Sequence, residues 1–158
     1  MNRNFCSRDL LLATSLSVTL LAGALGCSSG QAEMNAIASL EKKGGTVVGE
    51  STSAGVSRRL NLNNSSVTNE DLKLLADISN IELLWLYGTK VTDDGMLHVA
   101  ALNQLKHLDL RNLPVTDEGL AHLTACKKLE ALSIAGTSVT PEGLNKFRES
   151  LPKCKVDY

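Results

Sequence analysis

"LYGTKVTDDGM", Leu86–Met96, returns 48 residues later as "IAGTSVTPEGL", Ile134–Leu144. The Val-Thr pair inside it occurs at Val67-Thr68, Val91-Thr92, Val115-Thr116 and Val139-Thr140, each 24 residues after the last and with no gap. Other columns keep the same spacing. Leu60, Leu84, Leu108 and Leu132 continue at Val156, and Leu62, Leu86, Leu110 and Ile134 continue at Tyr158. Leu72, Met96, Leu120 and Leu144 make a third column. A fixed period of this length means stacked copies of one supersecondary unit, none of which can bury its apolar face alone.

Each unit changes period part-way. The leading "LxL" alternates apolar and variable residues, as a short strand with one buried face does. In "VTDEGLAHLTACKKL", Val115–Leu129, the residues Leu120, Leu123, Cys126 and Leu129 recur every three positions, which suits a helix with one buried stripe. The threonines are good N-cap residues, and Glu70, Asp94, Glu118 and Glu142 put negative charge in the first helical turn. Thr68 with Asp71 approximates a capping box, and Pro141 stands at a first helical position, where its missing N–H costs little.

Strand, turn, helix and return in 24 residues describe a leucine-rich repeat. The units resemble the cysteine-containing and ribonuclease-inhibitor-like kind, especially tandem arrays in bacterial envelope proteins of planctomycete type. The resemblance covers Arg58–Tyr158. The expected fold is a short α/β solenoid, with parallel strands on the concave face and helices on the convex face. No segment resembles the F-box through which eukaryotic relatives recruit partners, so that role does not carry over.

A solenoid needs capped ends. "MNAIASLEKKGG", Met34–Gly45, followed by the strand-like "TVVGE", reads as a helix-strand cap over residues 34–56, with Glu50–Gly55 turning into the first repeat. Repeats are expected at 57–80, 81–104, 105–128 and 129–152, and residues 153–158 form a half repeat over the last core layer.

The N-terminus follows a different rule. Arg3 and Arg8 precede 17 uncharged residues, Leu10–Gly26, then Cys27 and a polar stretch. This is the layout of an export signal over residues 1–26. "ALGC", Ala24–Cys27, resembles the lipobox of bacterial lipoproteins, although Ala24 and Leu25 reverse its usual order. That resemblance implies lipidation of Cys27, a tether over 27–33 and a membrane-anchored protein of the bacterial cell envelope. Cleavage near Ala22-Gly23-Ala24 with secretion or periplasmic release, and an uncleaved anchor, are the alternatives. Several acyl chains hold a membrane far better than one, each buried methylene contributing about 0.8 kcal/mol.

The formal net charge of −1 lacks the basic surplus that nucleic-acid binding requires. Glycine-rich phosphate loops, nucleophile elbows and HExxH pairs do not occur, so neither a catalytic set nor a cofactor is expected. His98 and His122 lie one period apart, but Leu74 and Lys146 flank them in their column, and a metal site there is the weakest reading. Cys126 falls in the core column of Ile78 and Leu102; Cys154 falls in the variable column of Glu82, Lys106 and Glu130. An oxidising compartment would permit a bridge between them, which their register opposes.

What remains is surface. If Leu84 and Leu86 point inward, then Leu83, Trp85 and Tyr87 point outward on the concave sheet. They are flanked by Arg59 on one side and His107, Asp109 and Arg111 on the other, with the small Ala131, Ser133 and Ala135 beyond. Trp, Tyr and Arg dominate binding hot spots, so this cluster is the expected contact patch for a protein or peptide partner. Two other readings remain: Trp85 and Tyr87 simply pack on neighbours such as Arg111, or the array is a structural, self-assembling envelope protein without a concave-face ligand.

Overall fold

The computed structural model describes residues 28–52 and 55–158; residues 1–27, where an export signal and a lipidated Cys27 are expected, lie outside the described residues. Helix α1 (Ser28–Lys42) leads into strand β1 (Thr46–Thr52), which forms an antiparallel hairpin with β2 (Gly55–Asn61). A 3₁₀ segment (Asp71–Asp77) precedes β3 (Ile81–Trp85) and α2 (Asp93–Val99). Then come β4 (His107–Asp109), α3 (Asp117–His122) with a 3₁₀ turn (Leu123–Ala125), β5 (Ala131–Ser133), α4 (Pro141–Ser150) and β6 (Lys155–Asp157). The six strands lie in one sheet in chain order, and β2 to β6 are parallel. Leu84 pairs with Leu108, Leu108 with Leu132 and Leu132 with Val156, so the observed register is the 24-residue period itself. This is a short leucine-rich repeat solenoid.

The core follows the columns. Leu60, Leu62, Leu84, Leu86, Leu108, Leu110, Leu132 and Ile134 are all buried, and Leu72, Met96, Leu120 and Leu144 close each layer from the helical side. Each such side chain stabilises by about 1.5–3 kcal/mol on full burial, so the stacked layers carry the fold. After each of β2 to β5 the chain turns through a left-handed residue: Asn64, Gly88, Asn112 and Gly136, with φ of 53°, 67°, 57° and 75°. Asparagine and glycine are the residues that tolerate this region. They alternate for a steric reason, because a Cβ on Gly88 or Gly136 would overlap the Oδ1 of Asn64 or Asn112 in the preceding turn.

Neighbouring units are also joined by polar rungs. Asp93 Oδ1 accepts from Thr116 N at 2.8 Å and Gly119 N at 3.1 Å, and its Oδ2 accepts from Thr116 Oγ1 at 2.8 Å. Asp117 makes the same two bonds to Thr140, at 2.7 and 2.6 Å. Asn69 serves Thr92, accepting from its N–H at 2.9 Å and donating to its Oγ1 at 2.8 Å. The carboxylate therefore belongs to one repeat and caps the helix of the next. The first repeat has no such neighbour, and Asp71 fills in from its own chain segment, with Oδ2 accepting from Thr68 N, Thr68 Oγ1 and Lys43 Nζ. Thr116 and Thr140 cap α3 and α4 as expected; Thr92 stands at the cap of α2 without a cap bond, its hydroxyl accepting from Asn69, and Thr68 is not a cap, because the 3₁₀ segment begins after Glu70.

Four expectations need correction. The tether drawn over 27–33 is helical from Ser28, and Glu33 is built into the cap. Its Oε1 accepts from Arg58 Nε at 2.7 Å and from Ser79 N and Oγ at 3.0 Å, tying α1 to β2 and to the turn before β3. The first repeat returns through 3₁₀ geometry and not an α-helix. Cys154 is buried, not on a variable surface column: α4 runs on to Ser150, and Leu151 and Cys154 then supply the apolar side chains of the last layer. Tyr158 does not continue the core; it is 73% exposed and its ring lies 5.4 Å from the Arg148 guanidinium.

Candidate functional site on the concave sheet

Alternation along each strand places two rows of side chains on the sheet face opposite the helices. In register, Arg59 stands beside Leu83, Leu83 beside His107, and His107 beside Ala131. In the next row Asn61 stands beside Trp85, Trp85 beside Asp109 and Asp109 beside Ser133. Of the seven residues expected in the contact patch, Arg59, Leu83, Trp85, His107 and Asp109 stand in these rows, while Tyr87 and Arg111 follow the ends of β3 and β4.

Trp85, His107, Asp109 and Arg111 line a single hollow of ≈ 230 Å³ together with Leu108, Ala131 and Ser133. The floor exists because Ala131 and Ser133 are small where neighbouring strands carry His107, Trp85 and Asp109. Arg59 stands outside this hollow; its Nη2 donates to Glu50 Oε2 at 2.7 Å across the hairpin. Leu83 is half-buried between Arg59 and His107, and Tyr87 joins through Arg111.

The centre of the site is a fixed ion pair. Arg111 Nε donates to Asp109 Oδ1 at 2.9 Å and Nη2 to Oδ2 at 2.7 Å, a bidentate fork. The backbone N–H of Arg111 also donates to Asp109 Oδ1 at 3.0 Å. The same local turn occurs two strands away, where Asn61 Oδ1 accepts from Asn63 N at 3.1 Å. On its other side the guanidinium lies 5.7 Å from the centre of the Tyr87 ring, within cation–π range. The hydrogen bond and charge of Asp109, helped by Asp157 and Tyr87, hold the Arg111 pKa above its ordinary value.

Asp109 corrects the expectation of an open acidic contact: it is only 5% exposed and both its oxygens are occupied. Its role is to aim Arg111. The sequence signal for this was available, because residues two apart on a strand share a face and an Asx side chain readily accepts from the N–H two residues on. Tyr87 is held in a similar way, its N–H donating to Asn63 Oδ1 at 2.9 Å.

Among solved structures, a leucine-rich repeat protein of Leptospira interrogans is similar to this chain. The likeness covers 54% of this chain and 21% of that one, at 25% identity and a TM-score of 0.43. The matched chain is thus several times longer than the part this protein resembles. No protein-family model and no curated protein matches the sequence.

The remaining chemistry-bearing residues stay apart from the hollow. His98 and His122 are half-buried on α2 and α3, on the convex side, and among the described residues no three His, Cys, Asp or Glu side chains converge as metal ligands would. Cys126 and Cys154 are free thiols in the core, and burial pushes the pKa of each up to about 11. A thiol that stays protonated is a poor nucleophile. The concave face therefore offers shape, an aromatic wall and an oriented cation, which are the means of binding.

Proposed function

We propose that this chain is a lipid-anchored binding module of the bacterial cell envelope, attached through Cys27 and engaging a protein or peptide partner through the hollow beside Trp85. The observation that carries the binding reading is the Tyr87–Arg111–Asp109 arrangement next to Trp85. A guanidinium already held on both sides loses little freedom when a partner docks, and Trp, Tyr and Arg are the residues that concentrate binding energy. Repeat solenoids present their partners with an extended concave surface of this kind. The lipobox-like "ALGC" supports the anchor, and the export layout of residues 1–26 supports delivery to the envelope.

The binding reading is tested by covalent capture of envelope proteins with the wild-type chain and with Trp85→Ala and Arg111→Ala. A protein captured by wild type and lost from both variants, at unchanged thermal stability, is the expected result. Recovery of every protein at equal yield by all three would end the reading. Mass spectrometry of the mature N-terminus tests the anchor, the expected species beginning at an acylated Cys27.

One observation favours self-assembly as a second reading. Strands β1 and β6 each pair on one side only within the described sheet, and Val48 on β1 is 49% exposed. Sedimentation showing association that survives Trp85→Ala would support it.

A further inference from the structure

We propose that the solenoid stands on an anionic bilayer by the edge where its strands begin, with that edge's lysines facing the lipid headgroups. The proposal rests on the reading of Cys27 as the anchor and concerns what that anchor does to the folded domain.

The first part of the argument is the direction of α1. Near its start, Glu33 is bonded to Arg58, at the beginning of β2, and to Ser79, just before β3. At its far end the carbonyl of Lys43 accepts from Ser66 N at 3.1 Å, and Lys43 Nζ lies 2.8 Å from Asp71 Oδ2, both past the end of β2. The helix thus runs from the strand-start edge to the strand-end edge, and Ser28 emerges at the former. Between Glu33 and Ser28 there are five helical steps, a rise of about 7–8 Å. A lipid on Cys27 would thus be attached next to the residue at which the helix leaves this edge.

The second part is charge. The strand-start edge carries exposed Lys127 and Lys128 ahead of β5, and Lys153 and Lys155 at β6. Consecutive turns of this edge are bonded together: Lys155 N donates to Glu130 O at 2.8 Å, Glu130 N to Lys106 O at 2.8 Å, and Lys128 Nζ to Gln104 Oε1 at 2.6 Å. Asp77, Glu130 and Glu149 are the exposed acidic groups there. The opposite edge is more acidic. Glu70, Asp94, Glu118 and Glu142 are exposed in one column along the helix starts, with Lys73 and Lys146 paired to the first and last, and Glu41, Lys42 and Lys90 are the other exposed charges there. Basic side chains are drawn to an anionic leaflet within a Debye length and acidic ones are repelled. The lipid and the charges thus favour the same edge, which leaves the concave hollow open sideways, towards partners in or beside the membrane.

The orientation is read on the chain beginning at Cys27, which contains every contact described above. Its Cys27 thiol is coupled to a maleimide lipid in phosphatidylcholine vesicles with and without phosphatidylglycerol. A fluorophore is placed through an azide-bearing residue in place of Asn103, on the strand-start edge, or of Asp94, on the other. Energy transfer to a headgroup-labelled lipid should be stronger from 103 than from 94 on the anionic vesicles. The ratio should fall towards about one in high salt or in Lys127→Glu/Lys128→Glu/Lys153→Glu, because both remove the attraction. Equal transfer from the two sites on anionic vesicles, or a difference that the charge reversal leaves intact, overturns the proposal. An unmodified Cys27 in protein isolated from cells would instead refute the anchor reading, since the coupled chain reports orientation whether or not the cell acylates it.

Discussion

Replacing Gly119 with alanine sets helix propensity against the rung between repeats. Gly119 lies in α3 and is not among the residues with positive φ, so propensity alone predicts a gain of about 1 kcal/mol. The added methyl, however, overlaps Asp93 Oδ1 and comes within 2.9 Å of Val115 Cγ1. The carboxylate must swing out, releasing Thr116 N, Thr116 Oγ1 and the N–H of residue 119. A hydrogen bond to a charged group contributes about 1.5–3 kcal/mol, and the half-exposed setting puts these at the low end, with water replacing part of the loss. Losing the equivalent of two such bonds, less the propensity gain, leaves a net cost of about 2 kcal/mol. For a domain of this size that lowers the melting temperature by roughly 5–8 °C. Urea unfolding followed by the fluorescence of Trp85, the single tryptophan, measures it directly. The decisive comparison is the same substitution in an Asp93→Ala background, where the carboxylate is gone and only the approach to Val115 Cγ1 remains, so the cost should fall well below that in the native background. A neutral or stabilising Gly119→Ala in the native background refutes the rung, and so does an equal cost in both backgrounds.

Asp109→Ala should cost about 1–2 kcal/mol, because it removes three bonds to Arg111, one of them from the backbone; a loss too small to measure in urea would mean the pair does not stabilise the sheet. Acid should weaken the cap. At Glu33 desolvation raises the pKa, but the Ser79 and Arg58 bonds outweigh it and hold it below the ordinary value; Asp71 is lowered likewise by Lys43 and Thr68 against its own desolvation. With folded pKa values depressed, the unfolded chain binds more protons, so the stabilisation is complete above the unfolded carboxylate pKa and is lost as pH falls through the folded one. The urea midpoint should therefore drop from about pH 5 downward, less steeply in Glu33→Gln, and an unchanged slope in that variant would remove Glu33 from the account. Cys126 and Cys154, with thiol pKa values pushed to about 11 by burial, should resist maleimide at neutral pH until the protein unfolds; fast labelling of the native protein mapped to either of these two positions would contradict their placement.

The layers were legible in the sequence because apolar columns report their own position: a leucine recurring every 24 residues has the same neighbours in each unit. The rungs were harder to see, since Asp93 acts on Thr116 and Gly119, in the following unit, and reading each repeat by itself assigns Asp93 to its own helix. A trace of the rung is nonetheless written in the chain. Gly95, Gly119 and Gly143 stand where the preceding unit supplies Asn69, Asp93 or Asp117, and the first unit, without such a neighbour, has Asp71 in that column. Glu33 was missed for a related reason: its partners Arg58 and Ser79 are remote in sequence and share no period with it. Alternation along a strand gives a direction and not an exposure. Asp109 points outward and is still covered, by Arg111.

Copying the Asp109–Arg111 pair into the next repeat, as Ser133→Asp/Ala135→Arg, turns this reasoning into a test of specificity. Positions 133 and 135 stand one period beyond 109 and 111, and the backbone there follows the same parallel register. The new aspartate can take the N–H of residue 135 and the new guanidinium can fork onto it, as in the parent pair. Neither substitution touches a core column or a rung, but the new carboxylate stands between Asp109 and Asp157 in register, so a cost of about 1 kcal/mol is expected, partly offset by the new guanidinium. The hollow, by contrast, loses part of the floor that Ser133 provides and gains a bulky side chain beside it. A partner that enters between Trp85 and Ser133 is then excluded, although Trp85, Tyr87 and Arg111 are all still present. Undiminished capture of that partner by the double variant would place its contact elsewhere on the solenoid, and the aromatic pair would return to being packing for Arg111.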